Sequence, residues 1–336
     1  MAKNSKKKSF VVTKTPLRIS FVGGGTDLPD FFNNYGGSVI STTIDKYIYV
    51  TAKRHNMIFN EKFRISYSQT ELKNSVNEIE NRIARECIKY VGIEPPLYIS
   101  TISDLPAKSG LGSSSSFAVG LLNALYALEG KNIDPNLLAE QACEIEINIL
   151  NQKIGKQDQY DAAFGGFNHI NFSRDTISVD KIDLDETEMD LLFSHFILVW
   201  TKIERDANSI LLKQNSTISK NLKNYYGMKD YVSRFKSTLY DIDVDTIANL
   251  ARLLEESFQL KKELHSDIIT PLISDMHSRI KQVGGMGGKL CGAGGGGFLL
   301  EVINPKLQSQ LKNLYPDLSI QNIKYEQNGS CILVID

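Results

Sequence analysis

A run of glycines and serines directly ahead of an apolar helix is the feature that most constrains the fold. The run covers residues 106–116 and ends in four consecutive serines, Ser113–Ser116. Apolar residues then recur up to Leu128, and Gly130 follows, which predicts a helix over Ser113–Leu128. Such a loop points backbone N–H groups and the positive end of a helix at an anion, so it favours a phosphate site.

Two observations refine this interpretation. Four serines exceed what helix capping requires, so phosphate binding is favoured over a flexible, serine-capped loop. The G-x-x-x-x-G-K-[ST] pattern of the Walker loop is absent, so any nucleotide is bound in a different fold. Serine hydroxyls at this position can bind phosphate oxygens or a magnesium ion.

A second glycine motif lies near the end of the chain, at Gly292–Gly297, and matches G-x-G-x-x-G. A dinucleotide site needs a helix to follow these glycines. The sequence instead predicts a strand over Phe298–Ile303, which Asn304 and Pro305 terminate. An NAD-dependent oxidoreductase is therefore disfavoured, and the glycines indicate close approach of backbone to another part of the molecule.

The third motif begins near the N-terminus, where a predicted strand at Leu17–Val22 runs into three glycines, Thr26 and Asp27. An ionised carboxylate accepts hydrogen bonds on both oxygens, so Asp27 is suited to sugar hydroxyls. An Asx-type turn after the strand explains the same residues equally well.

The length of 336 residues predicts two domains, and strands mix with helices in both halves, which predicts an α+β fold. We place the domains at 1–175 and 176–336, with the acidic, polar stretch 173–190 as the junction. Helices are predicted over Asn74–Val91 and Pro305–Leu314.

Composition excludes several classes of function. The net charge is -1, which argues against nucleic acid as a partner, and no run of about 18 apolar residues predicts a membrane span. The basic N-terminus has no apolar run behind it, as a secretory signal would require. The four cysteines lack C-x-x-C spacing, and the five histidines lack metal-ligand spacing. These features predict a cytoplasmic protein with reduced cysteines.

Taken together, the three motifs resemble the superfamily of galactokinase, homoserine kinase, mevalonate kinase and phosphomevalonate kinase. Their order and spacing match over nearly the whole chain. Within the superfamily, three stretches are most similar to the D-glycero-D-manno-heptose 7-phosphate kinases: Gly23–Pro29, Ile154–Asp161 and Thr201–Ala207.

The resemblance implies two α+β domains with ATP and a sugar phosphate in the cleft between them. It assigns the sugar to Asp27 with Gly24, Gly25 and Thr26, and the attacking hydroxyl to Asp158. The residues implied at the nucleotide are Gly110, Leu111, Gly112, Ser113, Ser114, Ser115, Ser116, Gly294 and Gly295.

Phosphoryl transfer also needs charge neutralisation and an acceptor for the hydroxyl proton. We predict Asp158 as the general base and Arg18 as the group that stabilises developing charge. Ser114 and Glu146 are predicted to bind Mg²⁺ through oxygen. Glu144 is the rival of Glu146, and the two point to nearly opposite faces of a helix.

Four questions remain open at the level of sequence. A phosphate on the sugar needs a cation, for which Arg205 ranks ahead of Lys153 and Lys156. The same motifs also suit a kinase for an unphosphorylated sugar such as fucose or galactose. A catalytically silent sensor of sugar and nucleotide is a further alternative, and the oligomeric state is not predicted.

Overall fold

Two β-sheets and the helices that cover them form the protein. The computed structural model describes residues 7–56, 58–204, 207–215 and 217–336. The strands are β1 (Phe10–Val22), β2 (Gly37–Arg54), β3 (Phe63–Ser66), β4 (Thr70–Lys73), β5 (Leu97–Ser103), β6 (Phe167–Phe172), β7 (Ile177–Lys181), β8 (Phe196–Trp200), β9 (Gly285–Leu290), β10 (Phe298–Ile303), β11 (Ser319–Asn322) and β12 (Cys331–Ile335).

The α-helices lie between these strands and after them. They are α1 (Pro29–Tyr35), α2 (Arg82–Val91), α3 (Ser113–Leu128), α4 (Pro135–Cys143), α5 (Gln157–Phe164), α6 (Glu186–Ser194), α7 (Ala207–Asn215), α8 (Leu222–Thr238), α9 (Val244–Lys262), α10 (Pro271–Gln282) and α11 (Pro305–Leu314). None of these helices is both long and apolar enough to cross a membrane.

The larger sheet has eight strands, six of them in the order β12-β1-β2-β5-β3-β4. Strand β6 pairs with the first part of β2, and β7 pairs with β6. All pairings are antiparallel except that of β3 with β5. The long strands β1 and β2 therefore hold the sheet together, and the loop after β1 carries Gly23–Asp27.

Helix α3 packs on β1 and β2 and is buried on every face from Ser115 to Leu128. This explains why its sequence is apolar all round instead of carrying one apolar stripe. Gly120 lets the helix approach the sheet closely, because a Cβ there would lie 2.5 Å from the Thr15 hydroxyl oxygen, and the Thr13 hydroxyl donates to the Gly120 carbonyl oxygen at 2.9 Å. Together with the bond from the Ser116 hydroxyl to the Pro16 carbonyl, this holds the first half of α3 against β1.

The smaller sheet is antiparallel, in the order β11-β8-β10-β9. Its apolar side chains form a second core with α10 and part of α9, in which Ile197, Val199 and Leu299 are almost fully buried. Strands β9 and β10 are joined by the second glycine motif, which therefore lies at one end of this sheet.

These features confirm the predicted α+β fold class. The predicted strand Phe298–Ile303 and the helix Pro305–Leu314 are present with the same bounds. The helix expected over Asn74–Val91 is wrong in its first half, since it begins only at Arg82. The reason is a competing polar contact: the Glu71 carboxylate accepts from the backbone N–H groups of Glu80 and Asn81.

The division at residue 175/176 stays a prediction. Strand β7 and strand β12 both follow that boundary in the chain, yet they pair with the larger sheet. β7 does so because the short turn at Ser173 and Thr176 folds it directly back onto β6.

We expect Gly120→Ala to destabilise the protein by about 1–3 kcal/mol, the usual cost of overpacking. An added Cβ would lie 2.5 Å from the Thr15 hydroxyl oxygen, which is held by Ser330 at 2.9 Å. Gly227→Ala in α8 is the matched control, because its Cβ would meet only the flexible end of Leu260 at 2.7 Å. There the gain in helix propensity, up to about 1 kcal/mol, should dominate.

Urea unfolding followed by circular dichroism measures both variants. A Gly120→Ala protein as stable as the wild type would contradict the proposed close packing of α3.

Candidate active site

A cavity of about 300 Å³ lies where the three sequence motifs meet. It brings together many of the residues predicted from sequence. These are Arg18, Gly24, Gly25, Asp27, Gly110, Gly112, Ser113, Ser114, Ser115, Asp158 and Gly294. Residues separated by almost the whole chain therefore share one wall.

The glycine–serine loop ends at the N-terminus of α3. Gly112 occupies the cap position with φ +77° and has no side chain to satisfy the first N–H groups of the helix. The Ser114 hydroxyl points to Glu146, and the Ser116 hydroxyl donates to the Pro16 carbonyl at 2.9 Å. The first turn of α3 thus keeps backbone donors beside the cavity, the arrangement that binds phosphate oxygens.

The two glycine-rich loops contact each other through their backbones. Phe298 N–H donates to the Ser109 carbonyl at 3.0 Å. A Cβ on Gly110 would lie 2.7 Å from the Cys291 carbonyl oxygen, and one on Gly297 would lie 2.3 Å from the Ser109 oxygen. Only glycine allows this approach, which fixes the glycine–serine loop (residues 106–116, the candidate phosphate loop) against the end of β9 and the start of β10.

Buried Arg18 and partly exposed Asp158 form an ion pair with two parallel hydrogen bonds. Nε and Nη2 of Arg18 donate to the two carboxylate oxygens at 2.8 and 2.9 Å, and Nη1 donates to the Gly110 carbonyl at 2.8 Å. Burial acts to lower the pKa of Arg18, but the neighbouring Asp158 outweighs it and the pKa is raised. Each carboxylate oxygen of Asp158 retains a lone pair for a further donor.

Glu146 lies behind Ser114 and is fully buried. Its carboxylate accepts from Ser114 at 2.8 Å and from Gln159 at 2.7 Å. Burial raises the pKa of Glu146, although these donors act to lower it. Glu144 contacts Asn148 instead, so the geometry favours Glu146 of the two candidates.

Glu146 belongs to a π-helical turn, Glu144–Ile149, that continues α4. Turns of this kind occur often at functional sites, because the extra residue redirects a side chain. Among the described residues there is no cluster of three or more His, Cys, Asp or Glu side chains able to hold a metal. A hydroxyl and one carboxylate suit Mg²⁺, which takes few protein ligands and completes its shell with water and phosphate oxygens.

Asp27 belongs to the third sequence motif and also lines the cavity. Its carboxylate accepts from the N–H of Gly25 at 2.8 Å and of Gln157 at 3.3 Å. Burial raises the pKa of Asp27, and the charge of Asp158 raises it further. Gly155 packs against it so closely that a Cβ there would lie 1.8 Å from Oδ2.

Several predicted residues do not line the cavity with their side chains. The Thr26 hydroxyl is buried and bridges the Gly23 and Ser38 carbonyls, both at 2.8 Å. Leu111 is buried, Ser116 bonds to β1, and Gly295 N–H donates to Ile268 at 2.8 Å. For these four residues the geometry indicates support of the loops.

Three cationic side chains were considered in the sequence for binding a phosphate on the substrate. Arg205 lies outside the described residues. Lys153 is exposed and Lys156 holds its ammonium 5.6 Å from the Phe32 ring centre, and neither belongs to the cavity wall.

The motif analysis missed several residues of the cavity wall, including Gly155, Gln157, Lys261, Lys289 and Cys291. Gly155 and Gln157 lie inside the stretch Ile154–Asp161, so that resemblance could have found them. Lys289 and Cys291 directly precede the second glycine motif, which is a weak signal. Lys261 has no neighbouring motif at all.

Comparison with known proteins identifies the family to which the chain belongs. Residues 59–166 match the N-terminal domain of the GHMP kinases, and residues 235–315 match the GHMP kinase C-terminal domain. The D-glycero-alpha-D-manno-heptose 7-phosphate kinase of Campylobacter jejuni is 30% identical, over 94% of this chain and 97% of that protein.

Solved structures agree with this. A D-glycero-D-manno-heptose 1-phosphate kinase from Bacteroides thetaiotaomicron is 25% identical, with a TM-score of 0.76 over 97% of this chain and 99% of that one. Lactococcus lactis galactokinase in complex with galactose, 15% identical, has a TM-score of 0.73 over 96% and 95% of the two chains and shows the shared fold alone.

The chain therefore belongs to the GHMP kinase family. The resemblance drawn from the three motifs is confirmed, and full-length similarity connects the chain with kinases whose names specify sugars.

We expect Gly110→Ala to destabilise the protein by about 1–3 kcal/mol through strained backbone and steric conflict. Gly110 has φ +82° and faces the Cys291 carbonyl, so a methyl group must push the phosphate loop away. Gly92→Ala is the control, because Gly92 has φ +74° but nothing within 4 Å of an added Cβ. It should show the backbone cost alone, about 1 kcal/mol.

Thermal unfolding and the KM for ATP measure the two effects. Gly110→Ala should raise the KM for ATP and Gly92→Ala should leave it unchanged. If both variants lose the same stability and have the same KM, the contact of Gly110 with the Cys291 carbonyl does not position the phosphate loop.

Proposed function

We propose that this protein is an ATP- and magnesium-dependent sugar kinase that phosphorylates the C1 hydroxyl of D-glycero-D-manno-heptose 7-phosphate. The product is the 1,7-bisphosphate. The main support is that one cavity is lined by Asp27, by the Arg18–Asp158 pair and by the N-terminus of α3 with Ser114. The similarity to the Campylobacter jejuni heptose 7-phosphate kinase supports this choice of sugar.

Each group has one role in this proposal. Asp27 accepts from sugar hydroxyls and orients the ring, because its carboxylate is held in place by two backbone N–H groups. Gly24 and Gly25 let the sugar approach the backbone closely. The N–H groups at the start of α3, with Gly110, Gly112 and Ser113, bind the phosphates of ATP.

Proton transfer is assigned to Asp158. The C1 oxygen forms a bond to the terminal phosphorus of ATP, the bond from that phosphorus to ADP breaks, and the hydroxyl proton moves to Asp158. Arg18 keeps the carboxylate oriented through its two hydrogen bonds and adds positive charge beside the developing oxyanion. Its third bond, to Gly110, ties this pair to the phosphate loop.

Ser114 and Glu146 are the residues proposed to hold Mg²⁺. The ion, when bound, neutralises charge on the phosphates during transfer. The contact of Ser114 with Glu146 at 2.8 Å means that both oxygens lie within reach of one small cation. A catalytically silent sensor is less well supported, because the candidate base and both magnesium oxygens have the contacts that catalysis requires.

The decisive experiment compares acceptors with purified protein, ATP and Mg²⁺. The acceptors are heptose 7-phosphate, heptose 1-phosphate, the free heptose, galactose and fucose. The 1-phosphate is included because the Bacteroides relative carries that substrate in its name. We expect turnover on heptose 7-phosphate to be fastest, with the new phosphate located on C1 by NMR.

Two other outcomes would redirect the assignment. Turnover only on a free sugar would keep the kinase and reject the phosphorylated substrate. No turnover on any acceptor, with ATP still bound, would reject catalysis and favour the sensor.

We expect Asp158→Asn to lower kcat by about 10²–10⁴, the usual contribution of general acid–base catalysis. The KM values should change much less, since Asp27 and the phosphate loop remain. Stopped assays of ADP release measure this, and a thermal melt controls for loss of the ion pair with buried Arg18. Near-normal kcat in a folded variant would exclude Asp158 as the base.

A further inference from the structure

Two lysines of the cavity wall have no role in the reaction described above. Lys261 lies in the last turn of α9 and Lys289 near the end of β9. Both line the cavity, yet their residues are only 8% and 6% exposed. Buried lysines are rare in proteins unless their charge is paired.

The partners of both ammonium groups are carbonyl oxygens. Lys261 donates to Gly292 at 2.6 Å, and Lys289 donates to Ser20 at 2.7 Å and Phe21 at 2.8 Å. Within the ranges that the structure describes, neither has a carboxylate oxygen at an ion-pair distance of 4.0 Å or less. An ammonium carries three donors, so each lysine keeps at least one donor for a ligand.

The two carboxylates that act on the charge of this lysine pair already have other partners. The pKa of Lys261 is affected by the charges of Asp27, Arg18, Cys291 and Asp158, and that of Lys289 by those of Lys261, Cys291 and Arg18. Asp158 is paired with Arg18, and the oxygens of Asp27 accept from backbone N–H groups. This part of the wall therefore has an excess of groups that can carry positive charge.

We propose that Lys261 and Lys289 bind the phosphate group that the sugar substrate already carries. This inference rests on the proposed function and assigns the phosphate pocket that the motifs did not locate. A phosphate dianion would supply the missing counter-charge and accept the remaining donors of both lysines.

The position of the pair favours the sugar over the nucleotide. Both bonds of Lys289 go to the last residues of β1 ahead of Gly23, where the sugar motif begins. For Lys261, Asp27 is the carboxylate with the largest effect on its charge. The terminal phosphate of ATP has the same chemistry, so the experiment must separate the two sources.

The protonation of the two lysines gives an independent test of phosphate binding. Burial lowers the pKa of Lys261 to about 8 and that of Lys289 to about 7, the latter also because Lys261 is near. At about pH 7.5 the neutral form of Lys289 is therefore substantially populated before a phosphate binds. A bound dianion favours the charged form of both lysines, so binding should take up protons, mainly at Lys289.

Calorimetric titration tests the proposal without any need for turnover. The probes are heptose 7-phosphate, the free heptose and ATP. The proteins are the wild type, Lys261→Met, Lys289→Met and Lys262→Met. Methionine removes the charge but keeps an unbranched side chain only one heavy atom shorter. Lys262 is a matched control because its ammonium lies 5.4 Å from the Phe258 ring centre and outside the cavity wall.

We expect Lys261→Met and Lys289→Met each to weaken binding of heptose 7-phosphate about 10- to 100-fold, the range of a charge-assisted hydrogen bond. Binding of the free heptose and of ATP should change less than about 3-fold. Lys262→Met should match the wild type. Titration in buffers of different ionisation enthalpy should show proton uptake with heptose 7-phosphate that is largely lost in Lys289→Met.

Three results would overturn the inference. One is a loss of ATP affinity instead of sugar phosphate affinity, which would assign the lysines to the nucleotide. Another is unchanged affinity for every probe in both folded variants. The third needs no variant: wild-type protein that binds heptose 7-phosphate no more tightly than the free heptose has no pocket for that phosphate.

These results are distinguishable from failure of the proposed function. Lysine-dependent binding of heptose 7-phosphate without any phosphoryl transfer would support the pocket and reject the kinase reaction on this sugar. Turnover on a free sugar with no phosphate-dependent binding would reject the pocket and keep the kinase reaction, but on an unphosphorylated acceptor.

Discussion

The guanidinium of Arg18 connects three segments that lie far apart in the chain. Arg18 lies on β1, and its guanidinium donates to both carboxylate oxygens of Asp158 on α5 and to the Gly110 carbonyl in the phosphate loop. A lysine could not make these contacts, because it lacks the planar fork of donors. The orientation of the candidate base and the position of the phosphate loop are therefore set by one buried side chain.

The phosphate loop is also fixed from the other side, by backbone alone. Ser109 and Gly110 contact the segment from Cys291 to Phe298 at distances that leave no room for a Cβ. The glycines of the second motif thus support the first motif, and the smaller sheet positions a loop that belongs to the larger one. This coupling gives a physical reason for two glycine-rich stretches separated by most of the chain.

Buried charge is unusually concentrated around the cavity. Asp27 and Glu146 have raised pKa values and Lys261 and Lys289 have lowered ones, in each case chiefly through burial. Such groups cost stability unless a partner compensates them, and shifts of this kind cluster at functional sites. A substrate that is both phosphorylated and rich in hydroxyl groups offers partners of both kinds.

The sequence alone determined the α+β class, helix α3, strand β10 and the family, because periodicity and glycine motifs are local signals. It did not reveal that contacts of Glu71 delay the start of the expected helix Asn74–Val91 until Arg82. It also did not reveal that Glu146 lies in a π-helical turn beside Ser114. Nor did it place Lys261 and Lys289 in the cavity wall. Tertiary structure decided these features, since each depends on distances and burial between residues that no local pattern links.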